Sequence, residues 1–152
     1  MLKRTLLFLL LNFAALAIGG LFTGPGVEGD WYTGLAKAPW TPPGWVFGAA
    51  WTTIMLAFAP YMARLTGDPG TRAGHVRWYA AQWVLNVAWN PLFFAAQAVL
   101  PALLTILPLT VVMGRFLFAV PVRPLTWRLL VLPYFLWLCV AASLNAYVWW
   151  DN

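Results

Sequence analysis

The sequence predicts an all-α membrane protein: a bundle of five transmembrane helices with a long loop between helices 1 and 2. Three observations carry this. Of 152 residues, 62% are hydrophobic and only 9% charged, where a soluble domain carries about 25% charged residues. A chain this short cannot hide so much apolar surface in a water-soluble core, because small domains leave a large share of their surface exposed. The apolar residues also fall in runs long enough to cross the hydrocarbon layer, which takes about 20 helical residues. The abundance of Pro, Gly and Trp fits the same medium: Gly and Pro are tolerated in membrane helices, and Trp gathers at the interfaces.

The five spans are roughly 5–24, 45–65, 78–98, 102–120 and 126–149, and residues 1–152 form a single domain without internal repeats. The first span follows Lys3 and Arg4. That start also suits a signal peptide, but the apolar run is long and no small-x-small cleavage site closes it, which favours a retained helix. The third and fourth spans share an uncharged stretch from Trp78 to Gly114, too long for one crossing; Gln97 and Pro101 mark the break. Pro60, Pro91, Pro108 and Pro133 interrupt spans, and each removes a backbone donor and frees a carbonyl.

Charge gives the orientation. An odd number of spans puts Lys3, Arg4, Arg64, Arg72, Arg77, Arg115, Arg123 and Arg128 on one side, against Asp68 alone. The other side holds Lys37 against Glu28, Asp30 and Asp151. For a bacterial cytoplasmic membrane, the positive-inside rule places the N-terminus in the cytoplasm and the C-terminus outside. The basic residues form no run, which argues against nucleic-acid binding. His75 reads as a solvated loop residue in a polar connection. Cys139 is the only cysteine, so there is no intrachain disulfide and no metal cluster.

The first connection, Pro25 to Gly44, is long and carries Trp31, Tyr32 and Trp40. Loops of this length are usually functional or disordered, and these aromatics argue against disorder. It either folds over the outer mouth of the bundle or anchors the chain at the interface.

The third span carries Gln82, Asn86 and Asn90 one turn apart, with Gln97 returning to the same side and Trp89 and Phe93 flanking them. Amides facing lipid are costly, so this stripe should point inward. Ala81, Ala88 and Ala95, spaced by seven on the opposite side, form a seam where another backbone can approach closely, in a homodimer or within the bundle. The amides either bond to neighbouring helices, at about 0.6 kcal/mol each, or line a ligand site. No Asp or Glu lies within a span, which argues against an ion-coupled pump. No phosphate loop, catalytic triad or carboxylate pair is present, so no catalytic residue is assigned. Indole, phenyl and amide groups together suit a large, flat, mostly apolar ligand.

Three stretches, WYTGLAKAPWTPPGWVFGAAW (31–51), AAQWVLNVAWNPLFFAAQ (80–97) and LPYFLWLCVAASLNAYVWWDN (132–152), resemble the TspO/translocator protein family, the tryptophan-rich sensory proteins or peripheral-type benzodiazepine receptors. The most specific parts are W-x-P-P-x-W from Trp40, N-x-x-W-x-P-x-F-F from Asn86, and P-Y-x-x-W and L-N-x-x-V-W in the last span. The resemblance implies a five-helix membrane protein, usually a homodimer, that binds porphyrins and haem as ligands, needs no cofactor, and handles tetrapyrroles or regulates stress responses. It places Phe47, Trp51, Asn86, Trp89, Phe93, Trp137, Ala141 and Leu144 in the pocket, with Trp40 and Pro42 in the loop over the mouth. A porphyrin would stack on Trp51 and Trp137 and take one orienting bond from Asn86. Lys37, the only cation on the outer side, or loop N–H groups would meet a ligand carboxylate. The sterol motif of animal members is incomplete, since no basic residue follows Tyr147, so sterol binding is not carried over. Met55 stands where some members carry an aromatic. Two other readings stay open: a light-dependent enzyme degrading bound protoporphyrin through its tryptophans, and a ligand sensor acting through a protein partner.

Overall fold

A computed structural model describes all 152 residues. Every regular element is helical. Helix α1 runs Leu2–Glu28, a short α2 Asp30–Gly34, and α3 Gly44–Leu65. Helix α4 runs Pro69–Asn90 and continues as a π-helical turn, Pro91–Ala95; α5 runs Val99–Gly114 and ends likewise, Arg115–Ala119. A 3₁₀ stretch, Leu125–Leu130, leads into α6, Leu132–Asp151. The long helices close a ring in the order α1, α3, α6, α5, α4.

Four segments are long and apolar enough to cross a membrane: Leu2–Glu28, Gly44–Leu65, Val99–Ala119 and Leu125–Asp151. Helix α4 is as long as α3. Its basic start and its amides make it less apolar than the others. The outer surface agrees with a lipid environment: only 32 residues are buried, while Leu6, Leu10, Val84, Leu104, Val111 and Leu136 are each more than half exposed.

Two aromatic clusters fill the ring. The larger lies toward the arginine-rich end, where Phe58, Tyr61, Phe116 and Tyr134 are fully buried and meet mostly edge to face. The smaller, around Phe93, Ala102 and Val148, sits under the first loop. Polar ties cross the ring. Asn12 donates to the Met55 carbonyl (3.0 Å) and accepts from the Tyr79 hydroxyl (2.8 Å), joining α1, α3 and α4. The Tyr134 hydroxyl donates to Gln82 Oε1 (3.0 Å), and the Trp83 indole to the Leu11 carbonyl (2.9 Å). Helix α1 approaches α4 closely at Gly19, where an added Cβ would stand 2.7 Å from Asn90 Nδ2, and at Gly26, where it would strike Phe94.

Several expectations need correction. Helix α1 passes through Pro25 to Glu28, so the open loop is shorter than Pro25–Gly44. Pro133 interrupts no helix: it sits in the first turn of α6, where its missing N–H has no helical partner to lose. His75 lies inside α4, half-buried; burial and then Arg115 lower its pKa, with Asp68 opposing. Gln97 leaves the amide stripe. Pro91 has no N–H, the chain widens to a π turn closed by Ala96 N–H on the Pro91 carbonyl (2.8 Å), and Gln97 follows exposed at φ 53°. The same turn carries Ala95 out of helical register with Ala81 and Ala88 and leaves it exposed.

Candidate functional site

The amide stripe of α4 divides by partner. Gln82, 3% exposed, is bonded to Tyr134. Asn90 turns to α1: its Oδ1 accepts from the Thr23 hydroxyl at 2.7 Å, and its Nδ2 donates to the Asn86 carbonyl at 3.1 Å. Asn86 differs. It is 9% exposed, on α4 between the two aromatic clusters, and its side-chain amide bonds to nothing in the protein. Its amide atoms keep some access to solvent, so the group is free to bond to a molecule from outside the chain.

Pairs of rings lie on the helices on either side of the expected site. Phe47 on α3 meets Trp137 on α6 edge to face at 5.2 Å, and Trp51 meets Tyr134 at 5.7 Å. Both pairs bridge α3 and α6, and no hydrogen bond joins those two helices. An open cleft of about 350 Å³ between α3 and α6 is lined by Trp137 with Val46, Ala49, Thr53, Leu136 and Val140; Phe47, Trp51 and Asn86 do not line it. Trp89 stacks on Phe93 at 5.1 Å, and its indole donates to Asn145 Oδ1 at 3.0 Å. Asn145 in turn donates to the Val99 carbonyl at 2.9 Å, fixing α6 to the start of α5. Ala141 and Leu144 lie half-buried on α6 between Leu138 and Asn145.

The loop caps this end. Trp31 and Tyr32 of α2 pack on Phe93, at 5.4 and 6.4 Å. Burial raises the Tyr32 pKa. Trp40 is 55% exposed, yet its indole donates to Ser143 Oγ at 3.2 Å and its ring meets Tyr147 at 5.5 Å. Pro42 is half-buried beside it in the chain. The Lys37 ammonium lies 4.6 Å from the Tyr32 ring centroid and 3.4 Å from the Thr33 carbonyl. So the loop packs back on Phe93 and on α6 at this end of the bundle.

Asn152 fastens the loop. Its Oδ1 accepts from the Ala36 N–H at 2.9 Å, and its Nδ2 donates to the Ala36 carbonyl at 3.2 Å. Asn152→Ala is expected to leave the ring of helices intact, at a cost within about 1 kcal/mol for an exposed pair. Amide exchange at Ala36 and its neighbours should become faster, as hydrogen-exchange mass spectrometry would show.

A model of the TspO/MBR family matches residues 7–150. The chain belongs to the TspO/MBR family. It is 38% identical to the translocator protein of Sus scrofa over 144 residues, covering 90% of this chain and 85% of that protein. The tryptophan-rich sensory protein of Cereibacter sphaeroides is 33% identical, with 90% and 87% covered. Protein CrtK of Rhodobacter capsulatus is 30% identical, with 90% and 88% covered. Family membership and the apolar helices make this an integral membrane protein. Sequence reasoning passed over two polar positions of this TspO/MBR chain. Asn12 is the only amide in the first apolar run, and that isolation was its signal. Asn145 stands inside the L-N-x-x-V-W motif, but only its contacts with Trp89 and Val99 show what it holds.

Proposed function

We propose that this TspO/MBR protein is a membrane receptor or carrier that binds a porphyrin or haem among the aromatic rings beneath the first loop. The observation that carries this reading is the unbonded amide of Asn86, 9% exposed and set between two aromatic clusters. A flat, apolar ring system with a few polar atoms suits those surroundings: rings stack or meet edge to face, and one amide orients the ligand. Lys37, the one cation at the loop end, is the candidate partner for a ligand carboxylate. The relatives' names, translocator and sensory protein, go with a carrier and with a sensor.

In this reading α4 is a fifth crossing, its amides turned away from lipid, and the arginine-rich end faces the cytoplasm of a bacterial cell. A homodimer would use the outer face of α4, where half-buried Ala81 and Ala88 flank exposed Val84. Cysteines at Ala81 and Ala88 should then crosslink two copies in membranes, and no dimer product would count against that face.

Titration with protoporphyrin tests the binding reading, with saturable quenching of tryptophan fluorescence expected. Asn86→Leu should weaken binding about fivefold to tenfold, the worth of one buried hydrogen bond. It should not lower thermal stability, because the Asn86 amide holds no other part of the protein. Quenching that never saturates would defeat the reading.

A further inference from the structure

The arginine-rich end carries more charge than its own contacts use. Arg4 is half-buried, its Nε is shielded from solvent, and its guanidinium makes no hydrogen bond to the protein. It lies against the turn after α3: a Cβ at Gly67 would stand 3.4 Å from Arg4 Nη2 and 3.0 Å from the Arg64 carbonyl. Arg72 reaches the same turn, donating from Nε to the Thr66 carbonyl at 2.9 Å. Arg64 donates to the Arg123 carbonyl at 3.3 Å, and Arg128 to the Val120 carbonyl at 3.3 Å, with Arg128 Nε also buried and unpaired. Five arginines from separate parts of the chain are thus gathered at one end of the bundle. The only acid on that side, Asp68, is occupied: it accepts from Gly70 N–H at 3.0 Å and from the Thr71 hydroxyl at 3.1 Å.

Partly buried guanidinium groups without a counter-charge are costly, and buried unpaired donors call for a partner. The carbonyl contacts of Arg64, Arg72 and Arg128 restrain the collar, unlike free lysines on a loop. Guanidinium also suits phosphate, which it can bind through two parallel hydrogen bonds. The end of a membrane bundle meets headgroups, where basic clusters attract anionic lipids. We propose that this collar is a binding site for the phosphate of an anionic phospholipid, with Arg4 as its central contact.

The test uses the full chain in nanodiscs of equal phosphatidylglycerol and phosphatidylcholine, with native mass spectrometry of the lipid retained after extraction. The wild-type chain should retain phosphatidylglycerol preferentially. Arg4→Gln and Arg128→Gln should each lower that preference about fivefold. Arg77→Gln removes the same charge from an exposed position on the same side and should leave the preference unchanged. Equal retention of both lipids by the wild type would overturn the site. So would an equal loss in Arg77→Gln, which would mean diffuse attraction. Displacement of phosphatidylglycerol by millimolar inorganic phosphate would replace the lipid by a soluble anion and overturn the lipid assignment. If Arg4→Gln fails to fold, Arg128→Gln and the wild-type comparison still decide.

Discussion

Asn12→Leu is expected to lower the stability of the bundle by about 1–2 kcal/mol, toward the upper end for a polar tie between membrane helices. Leucine suits an apolar helix better than asparagine does, so propensity and membrane insertion favour the substitution. The loss comes from what Asn12 holds. It is 1% exposed and bonds at once to the Met55 carbonyl and the Tyr79 hydroxyl. Its removal leaves the Tyr79 hydroxyl, on a side chain only 5% exposed, with no acceptor. Tyr79→Phe in the Asn12→Leu background should therefore restore part of the stability, because removing both partners is milder than orphaning one. Thermal unfolding of the detergent-solubilised chain, followed by circular dichroism, measures both. An Asn12→Leu chain as stable as its parent, or a double variant worse than the single, would show that the network contributes nothing.

This network also marks where the sequence stops being legible. The apolar runs state their length, and α3 and α5 fall close to the expected boundaries because nothing polar competes there. The α4 stripe was legible in direction: Gln82, Asn86 and Phe93 are all buried, as a 3.6-residue period requires. Its partners were not. Periodicity assigns a face to each amide but not the group opposite, and that choice separates the roles. Gln82 is spent on Tyr134 and Asn90 on Thr23, while Asn86 is left free. Gln97 shows the other limit. One proline changes the hydrogen-bond register, and a residue placed by counting a regular helix lands outside it. The Asn152–Ala36 clasp could not be read at all, because it joins positions 116 residues apart with no motif in common.

Replacing Trp51 and Trp137 together by Ala is expected to weaken protoporphyrin binding about 30-fold or more. An aromatic contact contributes about 0.5–1.5 kcal/mol beyond its area, and two lost contacts amount to about 2 kcal/mol. A competing explanation has to be separated. Trp137 also meets Phe47, and Trp51 meets Tyr134. These pairs hold the seam between α3 and α6, so truncation also loosens the bundle. Replacing both by Phe keeps a ring at each position and much of the packing, while offering the ligand a smaller stacking face. If the two tryptophans touch the porphyrin, affinity should fall in the order wild type, double Phe, double Ala, with the double Phe chain close to wild type in thermal stability. If they serve the seam alone, the folded fraction of every variant should bind alike, and only unfolding temperatures should change. Following the porphyrin's own absorbance keeps the readout independent of the tryptophans removed. Unchanged affinity in the folded double Ala chain would remove Trp51 and Trp137 from the pocket and leave Asn86 with Trp89 and Phe93 as the remaining candidates.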